Sequence, residues 1–179
     1  MNRRLITALA GLLFSLQSLY FYSLAASAQR STQPSARLLS RSLLGDIIED
    51  GIGYGGIRIG NTEKELLAKW GSPAQITPDP PQQNYLYSLD SGEFISVQIK
   101  NGRVEAMLLL LHSPVPPAPL KTKRGVGLGS PFAELKKIYG NPEKQEGSTV
   151  LYVSQGVGFQ SEGGLVAAII VFQPGKPPQ

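Results

Sequence analysis

The chain of 179 residues contains no cysteine and a single histidine. Without cysteine it can form no disulfide and no thiolate metal site, and it offers neither a cysteine nucleophile nor a cysteine for lipid attachment. The one histidine, His112, cannot build the usual zinc site alone, so we interpret it as a residue at the end of a strand. Stability must therefore come from a hydrophobic core, for which the length is sufficient.

The chain also has little net charge, +4 at pH 7. Residues 1–28 hold two of the 17 Lys and Arg residues and none of the 13 Asp and Glu residues, so the remainder carries about +2. The only dense basic run is Lys121–Arg124. Because a nucleic-acid surface needs a concentrated basic stripe with aromatic residues, we interpret this run as a solvated linker and expect no nucleic-acid partner.

The N-terminus has the pattern of an export signal. Arg3 and Arg4 precede the mostly apolar stretch Leu5–Ala26, and small residues at Ala26 and Ala28 form a cleavage site. Cleavage before Gln29 would give a periplasmic or secreted protein without an integral membrane span. The alternative is an uncleaved anchor, because residues 5–26 are long enough to cross a bilayer.

Two segments of the sequence match each other without a gap. Gly56–Pro73 and Gly125–Pro142 share glycines, a glutamate, a leucine and the final Gly-x-Pro, and Trp70 aligns with Tyr139. We interpret the match as an internal duplication, which predicts a fold built from two copies of one supersecondary unit.

Helices are predicted before and within the two copies. Apolar residues at helical spacing between Arg37 and Asp50 predict an amphipathic helix, which the glycines from Gly51 onward would end. Asn61 or Thr62 is expected to cap the helix of the first copy, and Ser130 that of the second. Both of these helices are too short to be stable without packing on something else.

Strands are predicted after each helix, from alternating apolar residues and turn signals. The predicted strands are Tyr85–Leu89, Glu93–Lys100, Arg103–Leu111, Thr149–Val153, Val157–Ser161 and Leu165–Phe172. The dipeptide Asn101-Gly102 is a strong hairpin signal. In the second strand Ile95, Val97 and Ile99 point one way, which predicts one buried and one wet face.

The predicted fold is therefore α+β, with two tandem repeats that each pack a short helix on a three-stranded antiparallel meander, preceded by an N-terminal amphipathic helix. The predicted boundaries are 1–28 for the signal peptide, 29–55 for the N-terminal segment, 56–111 for the first module, 112–124 for a Pro-rich linker, 125–173 for the second module and 174–179 for a disordered tail.

The spacing of glycine, glutamate and proline in both copies resembles the SmpA/OmlA and beta-lactamase-inhibitory-protein superfamily. The matching positions are Gly60, Glu65, Gly71 and Pro73, and Gly129, Glu134, Gly140 and Pro142. The resemblance covers residues 56–111 and 125–172. It implies a non-catalytic, exported binding module, since members act as envelope assembly factors or as inhibitors that present a sheet face to a protein. This chain lacks the acylated cysteine of the former and the disulfides of the latter.

Three tyrosines are the candidate binding residues. Tyr85 and Tyr87 are two positions apart and share a face of their strand, and Tyr152 lies on the corresponding strand of the second copy. On a wet face they would recognise a protein or peptide partner in the cell envelope or outside it. Two alternatives stay open. One is packing of the rings under the helices, and the other is an inter-module cleft that binds a small ligand or cell-wall glycan.

Other suggestive patterns have structural explanations. Glu65 and Glu134 are equivalent carboxylates that helix capping explains, and Ser130 lacks the surroundings of a hydrolase nucleophile. The glycines of Gly51–Gly56 precede a strand, the reverse of a dinucleotide-binding motif. No calcium site is predicted at the acidic residues Asp46, Glu49 and Asp50, because they lack the spacing of a calcium-binding loop. The sequence thus predicts no enzyme, no metal and no cofactor.

Overall fold

The computed structural model describes residues 38–111 and 120–178. Residues Ala36–Pro177 form one compact unit, and every element below belongs to it. The predicted signal peptide, His112 and the Pro-rich stretch 113–119 lie outside the described residues. None of the described helices has the length and apolar character needed to cross a bilayer.

The described residues form short helices and twelve strands. The α-helices are α1 (Arg41–Leu44), α2 (Glu63–Trp70) and α3 (Leu135–Tyr139), and 3₁₀ turns cover Phe132–Glu134 and Val153–Gln155. The strands are β1 (Ile47–Ile48), β2 (Gly53–Tyr54), β3 (Ile57–Arg58), β4 (Gln75–Asp79), β5 (Gln82–Ser88), β6 (Phe94–Lys100), β7 (Arg103–Leu110), β8 (Lys121–Thr122), β9 (Lys144–Glu146), β10 (Thr149–Tyr152), β11 (Val157–Glu162) and β12 (Leu165–Phe172).

Eight strands form one continuous antiparallel sheet in the order β4-β5-β6-β7-β12-β11-β10-β9. Its two halves meet where β7 pairs with β12, with Leu108 opposite Ile170. The register shifts between Gln98 and Ile99 on β6 and between Gln160 and Ser161 on β11. Two small ribbons accompany the sheet: β1 pairs with β8 in parallel, and β2 with β3 antiparallel.

The core lies on one face of this sheet, which we call the first face. Its buried side chains include Ile95, Val97, Phe159 and Ile169, and the helices pack on them through apolar residues such as Leu66. Full burial of a side chain of this size contributes roughly 1.5–3 kcal/mol. Packing on the first face is therefore what stabilises helices of five to eight residues.

Each helix start is tied to the turn of the last hairpin in its half. The Glu63 N–H donates to the Gly102 carbonyl at 2.9 Å, and the Phe132 N–H donates to the Gly164 carbonyl at 2.9 Å. The same contact thus occurs in both halves of the sheet. The duplication itself stays a prediction.

The predicted fold class is wrong. The chain does not form two modules of a helix on a three-stranded meander, because each half contributes four strands to one shared sheet. The cause lies in β7 and β12, whose segments Met107–Leu110 and Ala168–Phe172 are apolar at consecutive positions. Strands that are apolar on both faces are typical of a sheet interior, and here they pair with each other.

The predicted N-terminal amphipathic helix is also wrong. Only Arg41–Leu44 is helical, with no buried residue, and the chain leaves the helix at Gly45 with φ +83°. The next apolar pair, Ile47–Ile48, forms β1 against β8. Both residues are β-branched, and such side chains favour a strand over a helix.

Candidate functional site

The three tyrosines predicted as binding residues lie in the core. The exposed fractions of Tyr85, Tyr87 and Tyr152 are 3%, 1% and 1%. The Tyr87 hydroxyl donates to the Gly71 carbonyl at 3.1 Å, and the Tyr152 hydroxyl donates to the Gly140 carbonyl at 3.3 Å. Their burial fits the packing alternative, and it also removes the accessible tyrosine-lined cleft that the glycan alternative requires.

Hydroxyl chemistry at these tyrosines is suppressed by their surroundings. Burial, with the Glu63 carboxylate that accepts the Tyr85 hydroxyl hydrogen bond, raises the pKa of Tyr85 to about 12. Burial likewise raises the pKa of Tyr87 and of Tyr152 above its ordinary value. All three stay neutral at physiological pH and act as apolar bodies with one hydrogen-bond donor.

Trp70 and Tyr139, which the sequence aligns, anchor one aromatic cluster each. The Trp70 ring lies edge-on to Tyr87 with centroids 5.2 Å apart, and its Nε1–H donates to the Gly55 carbonyl at 3.2 Å. The Tyr139 ring lies 5.0 Å from both Tyr152 and Phe159. Both residues are therefore core anchors at the end of their helix.

The carboxylates and serine that an enzymatic hypothesis would need do not converge. Glu65 accepts the Thr62 N–H at 2.6 Å while the Thr62 hydroxyl accepts the Glu65 N–H at 3.2 Å, which completes a capping box at the start of α2. These hydrogen bonds lower the pKa of Glu65. Glu134 lies at the start of α3, and Ser130 Oγ accepts the Gly127 N–H at 2.9 Å rather than capping a helix.

The acidic residues near the N-terminus have separate partners. Asp46 pairs with Arg41 at 2.8 Å, Glu49 with Lys123 at 2.8 Å, and Asp50 accepts the Tyr139 hydroxyl at 2.9 Å. Across residues 38–111 and 120–178 no group of three or more potential metal ligands is present. The Asp46, Glu49 and Asp50 side chains are thus used to join loops to the rest of the fold.

Part of the basic run Lys121–Arg124, which we interpreted as a solvated linker, packs against Tyr139. Lys121–Thr122 is the strand β8, and the Arg124 guanidinium lies 4.9 Å above the centroid of the Tyr139 ring. The Tyr139 hydroxyl also lies 2.9 Å from Thr122 Oγ1. No local sequence pattern predicted the contacts of Tyr139 with Thr122 and Arg124, because each joins residues that are well separated in the chain.

The glycines of Gly51–Gly56 form the tight β2–β3 ribbon and no phosphate-binding loop. At Gly53, whose φ is +152°, an added Cβ would lie 2.0 Å from the Ile57 carbonyl oxygen. Glycine is therefore required by the close approach of the two strands.

The other side of the sheet, which we call the second face, carries buried apolar side chains that do not belong to the core on the first face. Six buried apolar residues fall in this group, all on β7, β10 and β12, at positions that alternate with first-face residues. They are Ala106, Leu108, Leu151, Ala168, Ile170 and Phe172. These six side chains are at most 6% exposed, so the second face is covered at these positions.

Strand register aligns several of these residues in a row across the sheet. Ser96 lies opposite Leu108, Leu108 opposite Ile170, Ile170 opposite Gly158, and Gly158 opposite Leu151. The middle of the row is apolar, and its partly buried end at Ser96 is polar. The consecutive apolar residues of β7 and β12 are the sequence signal for this stripe.

Polar side chains lie beside the stripe. Gln98, opposite Ala106, is 2% exposed, yet no described residue hydrogen-bonds its Oε1 or Nε2. Thr149 Oγ1 also has no partner in the described part of the chain. A buried polar group without a partner costs about 1–3 kcal/mol, so the second face has hydrogen-bonding capacity that the described residues do not satisfy.

Comparison with known proteins gives distant likenesses only. No family model and no curated protein matches the chain. One similar solved structure is a cysteine-rich secretory protein from Staphylococcus aureus subsp. aureus Mu50, with 15% identity and a TM-score of 0.48 over 72% of this chain and 51% of that chain. Another is an extracellular protein containing an SCP domain from Bacillus anthracis str. Ames, with 13% identity and a TM-score of 0.44 over 86% of this chain and 53% of that chain.

This chain therefore spans about half the length of both structures. Similarities at these values assign neither a family nor an activity. The resemblance to the SmpA/OmlA and beta-lactamase-inhibitory-protein superfamily stays a prediction.

Proposed function

We propose that the chain is an exported, non-catalytic protein- or peptide-binding module that contacts its partner through the partly exposed polar positions of the second face, Ser96 and Gln160. The observation that carries the proposal is that Gln98 and Thr149 on this face have polar atoms that no described residue hydrogen-bonds. The six apolar residues of the stripe are at most 6% exposed, so they are covered within the chain and support the face rather than contact a partner.

The polar groups of the second face favour a protein over an apolar small molecule. Gln98 and Thr149 each place an unpartnered polar group beside the apolar residues. A peptide backbone or polar side chain can supply donors and acceptors to these groups, whereas a hydrocarbon ligand cannot.

The superfamily resemblance supports the same proposal from the sequence. It implies that a sheet face is presented to a protein partner, and the predicted export signal places that partner in the periplasm or outside the cell. If residues 5–26 are retained, the module is tethered to a membrane and its partner lies at the membrane surface.

Site-directed photo-cross-linking tests the proposal. A photoreactive amino acid is placed at Ser96 or at Gln160, both partly exposed second-face positions, in the exported chain in its host. Lys64 and Ala68, exposed on α2, are the matched controls. We expect one defined protein to be cross-linked from the second-face positions and not from α2. The same products from all four positions, or none from Ser96 and Gln160, would contradict the proposal.

A further inference from the structure

The tip of the β6–β7 hairpin combines exposed asparagine with glycine. Asn101 and Gly102 form a two-residue turn between Lys100 and Arg103, with φ values of +52° and +69°. Both turn residues are exposed, and a Cβ at Gly102 would meet nothing within 4 Å. The space around the peptide bond between them is therefore open.

Neither reacting group of this dipeptide is engaged by the described residues. No described residue hydrogen-bonds the side-chain amide of Asn101 or the N–H of Gly102. We propose that Asn101 is a site of spontaneous deamidation in the folded protein, with water as the co-reactant.

The reaction balances without any cofactor. The Gly102 backbone nitrogen attacks Cγ of Asn101, a new N–Cγ bond forms, and the bond from Cγ to the side-chain nitrogen breaks. The proton from the Gly102 N–H leaves with that nitrogen as ammonia, which gives a cyclic imide. Water then opens either carbonyl of the ring and yields aspartate or isoaspartate at position 101. Base speeds the first step because the backbone nitrogen attacks after losing its proton.

The other described asparagines lack this combination. Asn61 is held by its Oδ1, which accepts the Arg58 N–H at 2.7 Å. Asn84 lies within β5, where its backbone is fixed between two neighbouring strands. Asn141 precedes Pro142, which has no N–H to attack with.

Formation of isoaspartate at position 101 would disturb the hydrogen bond at the start of α2. The Gly102 carbonyl accepts the Glu63 N–H in the first turn of that helix. Isoaspartate lengthens the backbone between positions 101 and 102 by one methylene, so it displaces this carbonyl, whereas ordinary aspartate leaves the backbone unchanged. The corresponding turn of the second half, Gly163–Gly164, carries no side-chain amide and cannot react.

Peptide mapping of the folded full-length chain tests the proposal. Samples are incubated in mildly alkaline buffer, and fragmentation that distinguishes aspartate from isoaspartate follows Asn61, Asn84, Asn101 and Asn141. The same chain in denaturant gives the reactivity without the fold. We expect loss of the amide at Asn101 in the folded chain while the other three keep theirs. An Asn101 that keeps its amide when folded but loses it in denaturant would overturn the proposal.

Two variants give an independent readout. N101G copies the unreactive turn of the second half and should abolish the modified peptide. N101D carries the charge without the longer backbone. Hydrogen exchange at the Glu63 amide should accelerate in incubated wild type that contains isoaspartate and stay unchanged in N101D. Equal exchange in the two samples would overturn the predicted effect on α2.

Discussion

Single tyrosine hydroxyls connect the sheet to the helix ends. Tyr87 and Tyr152 lie on β5 and β10, and each donates to the carbonyl of the glycine that ends the helix of its half. These carbonyls would otherwise be orphan acceptors at a helix C-terminus. The tyrosines are thus structural residues, which is a different role from the recognition role that their spacing suggested.

Removing either hydroxyl should therefore affect stability. We expect Tyr87→Phe and Tyr152→Phe each to lower the free energy of unfolding by about 0.5–1.5 kcal/mol, because one buried hydrogen bond is lost. Urea unfolding measures the change, with Lys64→Ala on the exposed side of α2 as control. Unchanged stability combined with loss of partner binding would indicate instead that these tyrosines contact the partner.

Asp50 should give a pH dependence of its own. Burial raises its pKa above the ordinary value of 3.8, while the Tyr139 hydroxyl and Arg124 lower it by a smaller amount. Between pH 3.8 and the raised pKa, the Asp50 carboxyl is therefore mostly protonated in the folded chain and mostly ionised in the unfolded chain. The contribution of Asp50 to stability is complete below pH 3.8 and is lost as pH rises through the raised pKa.

The Asp50→Asn variant isolates this effect, since an amide oxygen can still accept from Tyr139 but cannot ionise. We expect the stability of the variant relative to wild type to increase from acid to neutral pH, measured by chemical unfolding at several pH values. Four other carboxylates have lowered pKa values and also make stability depend on pH: Glu49, Glu65, Asp90 and Glu143. They occur in both proteins, so their contributions cancel in the difference between the two free energies of unfolding. A constant or decreasing difference would contradict the assignment.

At the scale of elements, local signals predicted the interior strands well. The predicted Glu93–Lys100 and Leu165–Phe172 correspond to β6 and β12 within one residue, because apolar alternation and turn residues bound them. The α2 helix begins after Thr62, one of the two predicted caps. The outer strands β4 and β9 were not predicted. Their residues are mostly exposed and show no apolar alternation, so only pairing with β5 and β10 defines them.

The candidate site was less predictable than the fold elements. Tyrosine spacing placed Tyr85 and Tyr87 on one face correctly, but whether that face is buried depends on helices and ribbons that pack from elsewhere in the chain. The second-face stripe depends on β7 pairing with β12. The consecutive apolar residues of these two segments mark both as interior strands, but no local pattern specifies that they pair with each other.

The edge strand β4 should be protected from pairing with other chains by Pro78. This residue lies opposite Gln83, and proline has no N–H for a further strand. Ile76 on the same strand is 50% exposed. We expect Pro78→Thr to restore a donor and cause self-association, measured by sedimentation velocity. Addition of Ile76→Lys should return the protein to its original state, and a monomeric Pro78→Thr would show that the edge is protected by other means.

At the scale of the whole molecule, the joined sheet should make the two halves unfold together. Leu66 is fully buried in the first half, and Leu66→Ala should cost about 2–5 kcal/mol. In one cooperative unit, hydrogen exchange should accelerate in β10 and β11 of the second half as well as in β5 and β6. Acceleration confined to the first half would indicate two independently stable modules.

The continuous sheet depends on the pairing of β7 with β12, and the absence of native cysteine makes this pairing directly testable. The Leu111 N–H donates to the Ala167 carbonyl at 3.2 Å, so the adjacent residues Leu110 and Ala168 form a non-hydrogen-bonded pair, in which side chains lie closest. In the double variant Leu110→Cys/Ala168→Cys, mild oxidation should form an intramolecular disulfide rapidly. The control Leu86→Cys/Leu151→Cys, on strands separated by β6, β7, β12 and β11, should not form one. Failure of the first pair to form an intramolecular disulfide, or equal formation in both pairs, would contradict the continuous sheet.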